Sequence, residues 1–101
     1  MSQDKKSEQD GMKEISRVMT VNNQYGIHAR PAALFVKTAN QYVSEIKVGH
    51  KGLEVSAKSI MGLLTIEGHQ GAELTVTAQG SDALEALEAI EELFRQNFLE
   101  E

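Results

Sequence analysis

The chain contains no cysteine, which excludes a disulfide framework and a thiolate metal site. It has no tryptophan, two tyrosines and three phenylalanines. With aromatics this few and cations this sparse, nucleic acid is not an expected partner. No apolar run approaches the length that crosses a bilayer, and Met1–Lys13 lacks the apolar core of a signal peptide. A soluble cytoplasmic protein without membrane association is therefore expected. The 101 residues suit one domain with a single core. Proline occurs once, and the residues around it carry most of the information in the chain.

That proline lies in Gly26-Ile27-His28-Ala29-Arg30-Pro31-Ala32-Ala33. A strand-like stretch, Ile15 to Val21, precedes the run, followed by a polar loop, Asn22 to Gly26. Beyond it Ala32, Phe35, Val36 and Ala39 recur at the spacing of one helix face. Proline is tolerated in a first helical turn, where the amide it lacks has no helical partner. Pro31 thus fixes a helix start and leaves His28 near the N-cap. A helix N-terminus is a ready anion site. An imidazole beside it, with a guanidinium two residues on, can accept and hold a phosphoryl group.

The run resembles the active-site motif of the HPr family, the histidine-containing phosphocarriers of the bacterial phosphoenolpyruvate-dependent sugar phosphotransferase system. A second block, Ala57-Lys58-Ser59-Ile60-Met61-Gly62-Leu63-Leu64, is similar to that family's regulatory-serine segment. His28 and Ser59 are thirty-one residues apart, the family's own interval, and the resemblance runs from about Glu14 to Leu99. It implies that His28 is phosphorylated through Nδ1 and that Arg30 stabilises the phosphate. It implies partners too: enzyme I as donor and the IIA components of sugar transporters as acceptors. Ser59 has a plain structural role available as an N-cap. The resemblance adds phosphorylation by an HPr kinase/phosphorylase that alters partner choice. It also puts the partner interface on the short helix after Ser59, with Met61 and Leu64 as candidates beside Ala33 and Lys37 of the first helix. Two regulatory alternatives stay open: the nitrogen-related branch of the same system, and partner binding that depends on Ser59 phosphorylation.

The rest of the chain alternates strand and helix patterns. Met1–Lys13 is polar and reads as a disordered extension, leaving residues 14–101 as the phosphocarrier-like domain. Ile15, Met19 and Val21 share one face of the first strand, interrupted by Arg17. The first helix spans roughly Ala29 to Asn40. Ile46 and Val48 alternate with charged neighbours, Lys51-Gly52 makes a hairpin turn, and Leu53-Glu54-Val55 returns. Ser59 to about Ile66 is a short helix, and Leu74, Val76 and Ala78 point inward from a final strand. Leu84, Leu87, Ile90, Phe94 and Phe98 form a helical stripe, with Asp82 and Glu85 at capping-box spacing. The order is βαββαβα, an α+β pattern. It predicts an open-faced β-sandwich: a four-stranded antiparallel sheet with three helices on one face.

Charge is unevenly spread. Residues 82–101 hold seven acids and one arginine, a balance of −6 within a chain total of −5, so the other 81 residues sum to +1. Between Arg17 and Ala39 there are three cations and no acid, which predicts a neutral-to-basic face around His28 suited to acidic partners. The sequence places no general base beside His28, no metal-ligand cluster and no nucleotide-binding glycine loop. It reads as a carrier without metal or cofactor rather than a complete enzyme, with transfer governed by positioning in each complex. His50 and His69 have no motif around them and are expected to be solvated. Tyr25, three residues before His28, is placed to shape access to the imidazole. With no extra apolar stripe, a monomer is expected.

Overall fold

The computed structural model describes residues 14–100, so the extension expected over Met1–Lys13 lies outside the described residues. The elements are β1 (Glu14–Thr20), α1 (Ala29–Ala39), β2 (Glu45–His50), β3 (Leu53–Ser56), α2 (Ile60–Thr65), β4 (Glu73–Gln79) and α3 (Ala83–Arg95). A single turn, Asn97–Leu99, follows. The strands form one antiparallel sheet in the order β1-β4-β2-β3, with the helices covering one face as the alternation predicts.

Register aligns the apolar positions into rows across the sheet. Ile15 pairs with Ala78, and Ala78 with Ile46; Met19 pairs with Leu74. Because strand side chains alternate faces, these rows all point to the helix layer. Arg17 falls in the row with Val76 and Val48, which explains its interruption of an apolar face. Its guanidinium reaches Glu91 of α3 at 2.7 Å and closes the edge of the core as an ion pair. The three phenylalanines meet in one cluster, with ring centroids 5.8 Å apart for Phe35–Phe94, 6.1 Å for Phe35–Phe98 and 4.9 Å for Phe94–Phe98. Aromatic contacts of this kind add roughly 0.5–1.5 kcal/mol each beyond their buried area.

The hairpin turn is as expected: Lys51 and Gly52 both have positive φ, 52° and 85°, the requirement of a type I′ turn. In the last helix Leu87, Ile90 and Phe94 of the predicted stripe are buried, but Leu84 is exposed, and Ala83 and Ala86 complete the buried face in its place. Phe98 is buried as well, but it lies beyond the helix. There the chain reverses through three consecutive left-handed residues, Asn97, Phe98 and Leu99, with φ of 52°, 54° and 63°.

The capping box does not form. Asp82 is the N-cap residue of α3 but makes no side-chain cap bond. Its carboxylate instead accepts hydrogen bonds from Val43 N (2.9 Å), Ser44 N (3.0 Å) and the Ser44 hydroxyl, tying the α1–β2 loop to the start of α3. The Ser44 hydroxyl and then these amides hold the Asp82 carboxyl below its ordinary 3.8. A carboxylate favoured in the folded state stabilises it above the unfolded value, and that contribution is lost as pH falls through the lowered one. Asp82→Asn is therefore expected to lower Tm at neutral pH and to flatten part of the acid-induced fall below about pH 4. Thermal melts from about pH 7 to about pH 2 check this; parallel curves for the two proteins would contradict it.

Candidate functional site

The loop before α1 is fixed at two points. Ile27 N donates to Gly68 O at 2.9 Å, and Asn23 Nδ2 donates to Gly26 O at 2.7 Å. Gly26 has φ +67°, and a Cβ there would lie 2.2 Å from Gly68 O, so neither the conformation nor the space admits a side chain. Ile27 is buried, which leaves His28 to emerge at the helix start.

His28 is the N-cap residue of α1, in extended backbone conformation, and its side chain makes no capping hydrogen bond. Its carbonyl accepts from Ala32 N at 2.9 Å, so the helix is started by the backbone and the imidazole is left free. Pro31 supplies no amide. The first-turn donors without a helical partner are therefore the amides of Ala29 and Arg30. Both residues are exposed. The Tyr25 ring stands edge-on to the imidazole, at 6.2 Å and 88°. Gln24, Tyr25, Arg30, Leu99 and Glu100 line a cavity of about 310 Å³ beside this group.

Two expectations about these surroundings need correction. The sequence predicts a neutral-to-basic face without a neighbouring base, yet Glu100 Oε2 lies 2.9 Å from His28 Nε2. The reversal after α3 brings it there, and Asn23 Nδ2 donates to its other oxygen at 3.1 Å. The approach is short but off the line of an Nε2–H, so Nε2 is buried without a directed hydrogen bond. The contact is electrostatic. Composition gives the acidic excess of the C-terminal segment; only the turn at Asn97–Leu99 shows that one of its carboxylates reaches the imidazole.

The other candidate residues gather on α1 and α2. Ala33 and Lys37 are exposed on α1. Ser59 is the N-cap of α2, and its hydroxyl accepts from Gly62 N at 3.0 Å, so the structural role predicted for it is present. On this six-residue helix Leu63 is buried, while Ile60, Met61 and Leu64 remain 41%, 72% and 39% exposed. His69 is exposed. His50 is not free in solvent, since its Nδ1 lies 2.7 Å from Ile66 O. Two wider grooves, of about 440 and 520 Å³, lie at the β2–β3 hairpin and the loop before β4. They contain none of the predicted site residues. Among the described residues no cluster of three His, Cys, Asp or Glu side chains is placed to hold a metal. Among them, too, no helix is long and apolar enough to cross a membrane.

Comparison with known proteins extends this geometry. A family model described as the PTS HPr component phosphorylation site matches residues 15–96. Phosphocarrier protein HPr of Treponema pallidum (strain Nichols) is 41% identical over 87 residues, 86% of this chain and 99% of that protein. The crystal structure of HPr-C-His from Thermoanaerobacter tengcongensis matches with a TM-score of 0.80 at 42% identity, covering 89% of this chain and 99% of that one. The catabolite repression protein Crh of Bacillus subtilis, described as a domain-swapped dimer, matches at 0.67 with 43% identity, covering 75% and 87%.

Proposed function

The chain belongs to the HPr family of the phosphotransferase system, and from that premise we propose that it carries a phosphoryl group on His28. The group arrives from phospho-enzyme I and leaves for IIA components of sugar transporters. The observation behind this reading is the N-cap position of His28 with its imidazole free of the capping bond. Its ring is 41% exposed, open to a donor, and the unpaired amides of Ala29 and Arg30 lie at the same helix start. In the transfer, the Nδ1 lone pair forms a bond to phosphorus while the donor histidine leaves with the bonding pair. The product carries negative charge at a helix N-terminus, which favours it.

Arg30 supplies the countercharge. Hydrogen bonds to charged groups contribute roughly 1.5–3 kcal/mol, so Arg30→Ala is expected to slow loading about 10- to 100-fold with Tm unchanged. Rapid-quench kinetics with labelled phosphoenolpyruvate measures this, and an unaltered rate removes Arg30 from the mechanism. Ala33 and Lys37 of α1, with Met61 and Leu64 of α2, are the proposed docking residues. Exposed methionine suits a surface that adapts to more than one partner. All these groups lie on one chain, so the carrier is proposed to act as a monomer.

The experiment that tests the reading is incubation with enzyme I and phosphoenolpyruvate, followed by mapping under neutral or alkaline conditions. One acid-labile phosphate on His28 supports it. No phosphate, with enzyme I active on another acceptor, moves the weight to Ser59. That second reading is regulatory, and likeness to Crh favours it. Ser59 is partly exposed beside Ile60 and Met61. A phosphate there would sit at a helix start and add charge to the docking surface without unfolding it.

A further inference from the structure

Glu100 has no place in the scheme so far, yet the structure goes to some length to deliver it. Three consecutive non-glycine residues take left-handed φ, a conformation that L-residues adopt at an energetic cost. Phe98, at the centre of that turn, is buried against Phe35 and Phe94. Glu100 N then donates to Asn97 O at 3.0 Å. The Glu100 side chain is only 20% exposed, with one oxygen held by Asn23 and the other against His28 Nε2. The same contact leaves Nε2 shut away from solvent.

We infer that Glu100 is a positioning residue that assigns the two nitrogens of His28 their roles, a proposal that rests on the carrier reading above. Its carboxylate acts in two ways. It covers Nε2 and repels the anionic phosphoryl donor from it, so attack is left to Nδ1. It also favours the tautomer with the proton on Nε2, because a negative charge this close and this poorly hydrated stabilises N–H and opposes a bare lone pair. When the Nδ1 lone pair takes the phosphoryl group, the Nε2 proton stays where it is. On discharge, the P–Nδ1 bonding pair returns to Nδ1 and a neutral imidazole leaves. Without a proton on Nε2 the leaving group would be an imidazolate, a far poorer one. Among the described residues, the charged and titratable groups beside the ring are Glu100, Arg30 and Tyr25. Of these, Glu100 is the one in contact with a ring nitrogen.

The test uses the full chain and two readouts that need no partner protein. Long-range proton–nitrogen NMR spectra of the unphosphorylated protein report the His28 tautomer. Potassium phosphoramidate, a small donor that loses ammonia as phosphorus bonds to the ring, reports which nitrogen is phosphorylated. The wild type is expected to show the Nε2–H tautomer and the Nδ1 adduct. Glu100→Ala is expected to show mixed tautomers and an Nδ1-to-Nε2 adduct ratio lower by about tenfold or more. Glu100→Gln keeps the cover without the charge and is expected to fall between the two. Wild-type tautomer and wild-type adduct in both variants would overturn the proposal. Loading of the wild type by enzyme I is run alongside. Its failure would count against the carrier reading, while the tautomer and adduct ratio still decide the role of Glu100.

Discussion

His28→Ala is expected to abolish phosphate acceptance from enzyme I and to leave the fold standing. Loss of a working N-cap side chain costs about 0.5–2 kcal/mol, but the His28 imidazole makes no cap bond. Its replacement therefore belongs at or below the lower end. The backbone features that start the helix survive, since His28 O accepts from Ala32 N and Pro31 is unchanged. Glu100 loses a neighbour but keeps Asn23. A shift in Tm smaller than about 4–8 °C follows, the change expected for about 1 kcal/mol in a domain this size. Acid-labile phosphate counted after incubation with phosphoenolpyruvate and enzyme I should fall to background. Phosphate appearing at His50 or His69 in the variant would defeat the assignment. Neither lies at a helix start, and His50 already spends Nδ1 on Ile66 O.

The elements were readable because their periods were clean. Alternation in Leu74, Val76 and Ala78 marks β4, and Pro31 with the Ala32, Phe35 and Ala39 face marks α1, so His28 could be placed at its N-cap. Serine before a short apolar run gave the cap of α2. What escaped was decided by contacts distant along the chain. Asp82 and Glu85 have capping-box spacing, but three donors from Val43 and Ser44, nearly forty residues away, outcompete the local bond. Phe98 sits four residues after Phe94 and so reads as one more helical turn. No glycine or second proline announces the reversal at Asn97. Left-handed φ in asparagine is common enough, but in phenylalanine and leucine it is rare, and only the tertiary pull on the Phe98 ring accounts for it. Glu100, separated from Asn23 by 77 positions, could not be assigned to the site without that turn. The acidic C-terminal segment was visible as composition, and its role depended on a fold-back that periodicity does not encode.

Phe98→Ala should therefore act on stability and site together. Truncating a buried phenylalanine costs about 3–5 kcal/mol, a large part of the ~5–15 kcal/mol that holds a domain together. The ring lost here contacts both Phe35 and Phe94. A part of the loss is returned, because nothing then holds Asn97, Phe98 and Leu99 in left-handed conformations. The chain beyond α3 is free to relax. The net effect belongs near the lower figure, which corresponds to a fall in Tm of about 12 °C or more. Relaxation also withdraws Glu100 from Nε2, so the His28 tautomer should become mixed as in Glu100→Ala, although neither His28 nor Glu100 has changed. Phe98→Leu keeps most of the buried volume and should keep both properties in large part. If Phe98→Ala lowers Tm steeply but leaves the tautomer single, the turn is held by something other than the aromatic cluster. If both move together, the packing of one ring in the core sets the chemistry of an imidazole at the surface.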